Sequence, residues 1–170
     1  MTVVEIDLDG APATDSQPFG KMFEALDDLK PHEIYVASGS SLAYALWGGL
    51  MTTRAKKLGA AGAVLHGYHR DTQEILQSQW PVFSMGSYAQ DQAPRGKVVD
   101  WRVPMDIGGV KVQSGDLFFG DRDGVVVVPR EVESEVIRRA LEKVQTESAV
   151  RQAILAGMST VEAFERFGVM

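Results

Sequence analysis

Residues 59–75 read GAAGAVLHGYHRDTQEI. The small apolar run ending in Ala63-Val64-Leu65 has the composition of a short buried strand. It leads through Gly67 to His69, Arg70 and Asp71, and an amphipathic segment follows. A strand that stops at a guanidinium beside a carboxylate has two explanations. One is a surface ion pair, with Asp71 or Thr72 capping the helix that begins at Gln73. The other is a site, because open α/β sheets hold ligands beyond the carboxyl ends of their strands.

The pattern on both sides of this stretch supplies its frame. Thr2 to Leu8 alternates polar and apolar residues as a strand does, and a polar loop with Pro12 and Pro18 follows. Phe19 to Leu29 places Met22, Phe23, Leu26 and Leu29 at helical spacing, and Pro31 stops it. Ile34 to Ala37 is a short buried strand, Ser38 to Ser41 a loop, and Leu50 to Leu58 a helix. Strand, helix, strand, helix, strand is the order of βαβ units with parallel strands. Beyond Pro81 to Met85 and a polar loop at Tyr88 to Gly96, the chain changes to short strands at Val98 to Pro104, Val110 to Val112 and Leu117 to Phe119. The run Val125 to Val128 has the look of a strand buried on both faces. The fold class is therefore α/β with a mixed-sheet core. One domain is expected over 1–170, with a β/α core at 1–129 and a helical extension at 130–170.

That extension begins at Glu131, where Val132, Val136, Ile137, Ala140, Leu141 and Val144 open an apolar stripe continuing through Val150, Ala153 and Ile154. Such a stripe packs either on its own domain or on a neighbouring subunit. Ser159-Thr160-Val161-Glu162 is a capping box for a last short helix that ends at Gly168.

Composition narrows the function. With a net charge of −6 the chain is no general nucleic-acid binder, since phosphate neutralisation needs clustered Lys and Arg. It has no cysteine, which removes thiolate catalysis, disulfides and Cys-zinc sites. The first residues carry neither a basic n-region nor an apolar h-region, and no apolar stretch approaches a membrane span. A cytoplasmic location is expected, with no nucleic-acid or membrane partner.

Two groups of residues carry chemistry. In Trp47-Gly48-Gly49-Leu50-Met51 the paired glycines favour a helix start, which leaves the amides of Gly49, Leu50 and Met51 as donors for an anion. Close helix–sheet packing would also ask for small residues there. In the second group, the Asp71 carboxylate suits a hard divalent cation and Arg70 can fork onto a carboxylate or carbonyl oxygen. His66 and His69 have no metal-ligand spacing. Asp121-Arg122-Asp123-Gly124 lacks the Glu of a calcium loop and reads as a tight turn. No Walker loop, GxGxxG, GxSxG or HExxH occurs.

Three segments in order resemble the RraA-like family of 4-hydroxy-4-methyl-2-oxoglutarate aldolases and regulators of ribonuclease activity A. They are Trp47 to Met51 with Leu58 to Val64, then Gly67 to Thr72, then Gly115-Asp116 with Gly120 to Pro129. The long C-terminal helix is similar to the aldolase branch. The resemblance implies a swivelling β/β/α core assembled as a homotrimer or homohexamer. It also implies class II chemistry, in which a divalent metal (Mg or Mn) holds a small 2-oxo acid. Cleavage of a 4-hydroxy-2-oxo acid then yields pyruvate, with oxaloacetate decarboxylation as a related activity.

By this resemblance Asp71 is the metal ligand and Arg70 the catalytic arginine on the carbonyl side of the substrate. Gly49, Leu50 and Met51 bind the pyruvoyl carboxylate, and Glu147 reaches a neighbouring subunit's site. Family aldolases usually carry Glu or Asp where this chain has Gly49, and Asp where it has His66. They also begin with a helical segment ahead of the first strand. The alternative reading is a non-catalytic oligomeric binding or regulatory protein on the same scaffold.

Overall fold

A computed structural model describes residues 1–8, 17–41 and 43–169. The loop around Pro12 lies outside the described residues. The chain divides into two compact units, Met1–Val127 and Val128–Met170.

The first unit is built on a five-stranded sheet in the order β6-β4-β2-β1-β7. Its strands are β1 (Thr2–Asp7), β2 (Ile34–Ser38), β4 (Gly62–Leu65), β6 (Val82–Phe83) and β7 (Gly96–Trp101). Neighbours pair in parallel except β7, which runs antiparallel to β1 and makes the sheet mixed. The helices are α1 (Met22–Asp27), α2 (Gly49–Lys57) and α3 (Thr72–Ser78). Helix α1 starts three residues later than the apolar spacing predicts. Gly20 has φ +58° and bridges to Val98, and Lys21 N–H donates to the Val98 carbonyl at 2.9 Å, so this stretch is held against β7.

A second, two-stranded sheet escaped the sequence pattern: β3 (Ala45–Trp47) runs parallel to β5 (Tyr68–His69). Segments of two and three residues are too short to show a period. Two hairpins complete the unit, β8 (Met105–Ile107) with β9 (Val110–Val112) and β10 (Leu117–Asp121) with β11 (Gly124–Val128). The Asp-Gly turn joins the latter pair as expected, with Asp123 N–H donating to Asp121 Oδ1 at 2.8 Å. The expectation that Val125–Val128 is buried on both faces fails. Among the described residues this strand pairs with β10 alone, and it alternates in burial, with Val126 58% exposed.

The core gathers Val3, Tyr35, Leu46, Trp47, Ala63 and Trp80. The Trp47 ring lies 4.9 Å from that of Tyr35 and stacks on that of Trp80 at 5.6 Å. Both indoles satisfy their N–H groups, Trp47 on Thr52 Oγ1 at 2.7 Å and Trp80 on the Ala60 carbonyl at 2.9 Å. A buried donor left unmade costs about 1–3 kcal/mol, so the Trp47–Thr52 bond ties the end of β3 to the first turns of α2.

The second unit holds α4 (Glu133–Leu155), entered through a 3₁₀ turn at Arg130–Val132, and α5 (Thr160–Phe167). The capping box is formed in both directions, and Gly168 ends α5 in the left-handed conformation. Along α4, Arg138 pairs with Glu135 and Glu142, and Arg139 with Glu135. The apolar positions Val136, Ile137, Leu141 and Val144 are exposed, whereas Val150 is buried.

Candidate functional site

The small β3–β5 sheet brings the two sequence motifs together. Trp47 is in register with His69, and Arg70 N–H donates to the Trp47 carbonyl at 2.9 Å. Gly48-Gly49 and Arg70-Asp71 therefore leave the carboxyl ends of adjacent parallel strands side by side. This is the place where α/β folds hold ligands.

Asp71 does not cap its own helix. It is the N-cap residue of α3 in the left-handed region (φ +59°), and its side chain makes no capping bond. Oδ2 instead accepts the Gly49 amide at 2.8 Å, across to the first turn of α2. Oδ1 makes no hydrogen bond with the described residues. Gly48 keeps this approach open, since a β-carbon there would stand 2.8 Å from Asp71 Oδ2 and 3.4 Å from Arg70 Cγ.

Arg70 does not pair with its sequence neighbour either. Its ion-pair partner among the described residues is Asp91 at 3.7 Å, and both side chains are partly exposed. The ion-pair-and-cap explanation of Arg70-Asp71 is thus not what the fold uses.

Of the three amides expected at the start of α2, that of Gly49 is taken by Asp71. Helix geometry leaves those of Leu50 and Met51 without intrahelical acceptors. Thr52 N–H closes the first turn on the Gly48 carbonyl at 3.1 Å.

Glu74 is the residue that sequence reasoning missed. Its carboxylate occupies the space beside Gly49 that a side chain would need, and a β-carbon built on Gly49 would overlap it. The only signal was Glu at the third position of a helix, a common place for an acid. Glu74 is thereby a second carboxylate beside the residue whose amide Asp71 accepts.

His66 and His69 are committed to hydroxyls. His69 Nδ1 and Nε2 lie 2.8 Å from Ser84 Oγ and 3.1 Å from Thr72 Oγ1, and burial holds its pKa below the usual value. His66 Nδ1 lies 3.2 Å from Ser38 Oγ. In the second unit Glu147 pairs with Lys143 at 3.6 Å and lines a cleft with Val150, Arg151 and Ile154. No cluster of three or more His, Asp or Glu suited to a metal occurs among the described residues. None of their helices is long and apolar enough to cross a membrane.

With this geometry in hand, the chain belongs to the RraA-like family, described as Aldolase/RraA, which matches residues 10–127. It is 29% identical over 143 residues to the protein DlpA of Legionella pneumophila, a match covering 84% of this chain but 23% of that protein. It is 35% identical over 97 residues to the 4-hydroxy-4-methyl-2-oxoglutarate aldolase of Thermus thermophilus, covering 56% of this chain and 58% of the enzyme. Among solved structures, an uncharacterized protein from Pseudomonas syringae pv. tomato superposes with a TM-score of 0.79 at 29% identity, over 95% of this chain and 74% of that one. The chain thus spans less than two thirds of the length of the two curated relatives named here.

Proposed function

We propose that this chain is a divalent-metal-dependent class II aldolase that cleaves a 4-hydroxy-2-oxo acid to pyruvate. The observation that most supports this reading is the side-by-side departure of Gly48-Gly49 and Arg70-Asp71 from β3 and β5.

The donor set fits a hard cation. Asp71 has one oxygen oriented by the Gly49 amide and the other uncommitted, and Glu74 adds a carboxylate next to Gly49. Magnesium-type ions bind through one or two carboxylates and retain water, so Asp71, with Glu74 as a second carboxylate nearby, would hold one. A cation bound there supplies an electron sink for charge arising on the 2-oxo oxygen, worth several kcal/mol.

The chain's own groups do the rest. The Arg70 guanidinium orients the oxo acid and stabilises the same developing charge. The Leu50 and Met51 amides, at the positive end of α2, receive the substrate carboxylate. The Trp47–Thr52 bond keeps that turn in place when the ligand changes charge. The exposed apolar positions of α4 support assembly into a trimer or a pair of trimers, with Glu147 presented to a neighbouring copy.

The test is pyruvate release in a coupled assay with added magnesium or manganese, over 4-hydroxy-2-oxo acids and oxaloacetate. Turnover that disappears in Asp71→Ala supports the aldolase. Wild-type rates no higher than those of Asp71→Ala on every substrate would leave a non-catalytic binding or regulatory protein.

A further inference from the structure

Arg70 lines two cavities. A cleft of about 310 Å³ with a mixed lining is shared with Asp71, Thr72, Ser87 and Tyr88. A second cavity, of about 240 Å³, is bounded by α1, the end of β3 and the first turn of α2. Its volume corresponds to about eight water molecules at roughly 30 Å³ each, enough for a phenyl ring or a short alkyl chain.

The walls of this second cavity are apolar. Met22, Leu26, Leu46 and Trp47 line it and are buried, while Phe23 and Leu50 stand exposed at its edge. Two of the polar side chains that reach it are already engaged. Trp47 Nε1 donates to Thr52, and Gln92 Nε2 donates to the buried Glu5 carboxylate. Among the described residues Arg70 is the one cation in the lining, and the other charge is the carboxylate of Asp91, 3.7 Å from it.

Building on the aldolase reading, we propose that this cavity receives the C4 substituent of the substrate, and that the substituent is alkyl or aryl. With Arg70 and the Leu50 and Met51 amides occupied by the oxo-acid head, a second carboxylate would find no further cation in the lining to replace its water, and it would meet Asp91. An apolar group gains from the same walls by leaving water. Arg70 and the Leu50 and Met51 amides, at the same cavity, are kept for the oxo-acid head.

The reaction balances without a co-reactant. The C3–C4 bond breaks, the 4-hydroxyl gives up its proton and becomes the carbonyl of an apolar aldehyde, and the electron pair passes to C3. Protonation at C3 then gives pyruvate.

The experiment compares pyruvate release from 4-hydroxy-2-oxo-4-phenylbutanoate and from 4-hydroxy-2-oxoglutarate, with magnesium or manganese present. A kcat/KM at least about tenfold higher for the phenyl compound is expected. Phe23→Arg, at an exposed position that tolerates charge, should cut that ratio by about tenfold. Equal rates, or preference for the carboxylate compound, would overturn the proposal. If neither compound yields pyruvate, the cavity is judged by binding alone. Ligand-observed NMR with phenylpyruvate and 2-oxoglutarate should then show tighter phenylpyruvate binding that weakens in Phe23→Arg. Equal or weaker phenylpyruvate binding would reject the apolar assignment.

Discussion

The Asp71 carboxylate accepts the amide of Gly49 at 2.8 Å, although 22 residues separate them. A residue at an N-cap position normally serves its own helix. Here the left-handed backbone at Asp71 turns its side chain away from α3 and toward the start of α2. The bond orients one oxygen and leaves the other without a hydrogen bond among the described residues, so it is the contact on which the proposed metal site rests.

Asp71→Asn isolates the charge from the shape. Asn tolerates the left-handed conformation and keeps an oxygen for the Gly49 amide, so the fold should persist. Manganese affinity by calorimetry should fall at least about tenfold, in line with losses seen even for outer metal-site partners. Unchanged affinity would remove Asp71 from the site.

Gly48→Ala tests the approach itself. Gly48 has extended backbone (φ −151°), which any residue adopts, so the cost to folding should be small. The new methyl would crowd Asp71 Oδ2 and the Arg70 stem. Displacing both by a fraction of an ångström should lower kcat/KM on the order of 10–100-fold, with thermal unfolding little changed.

Arg70→Lys retains the charge but loses the planar fork. Turnover on the best substrate should drop on the order of 10²-fold, comparable to losing one oxyanion donor. Near wild-type kinetics in Arg70→Ala would show that the guanidinium has no part in the reaction.

Glu74 and Gly49 should behave as a pair. Gly49→Asp alone drives its side chain into the Glu74 carboxylate and should not raise activity. In a Glu74→Ala background the same substitution has room, and it should recover activity lost by Glu74→Ala. Independent, additive effects in the double-mutant cycle would show that the two positions do not share a space.

Glu5 predicts a pH dependence of stability. Burial, offset in part by the Gln92 amide, pushes its pKa up to about 8 from the ordinary 4.5. Between about pH 4.5 and 8 the folded state therefore holds a proton that the unfolded chain has already released. Stability from this group is full below pH 4.5 and declines as pH rises to about 8. Denaturant midpoints for Glu5→Gln should lose that decline while the remaining carboxylate dependence at acid pH stays. An identical pH profile in the variant would mean that Glu5 is ionised in the fold.

Local patterns carried the frame of this protein. The strands near Thr2, Ile34 and Ala63, the helix start at the paired glycines and the Ser159–Glu162 capping box all follow from period, glycine placement and cap chemistry. Each depends on residues a few positions apart, so each is readable along the chain. The resemblance of the motifs likewise singled out Arg70, Asp71 and the α2 amides.

Tertiary structure decided the partners. The pairing of Trp47 with His69, the Gly49–Asp71 bond and the seating of Glu74 against Gly49 each join residues more than 20 positions apart. Val125–Val128 shows the same boundary: its valines mark a strand, but hydrophobicity along the chain does not say which faces a neighbour will cover. Periodicity records which side of an element prefers to leave water. What meets that side, and which polar groups are thereby aimed at one another, is settled only when distant segments pack.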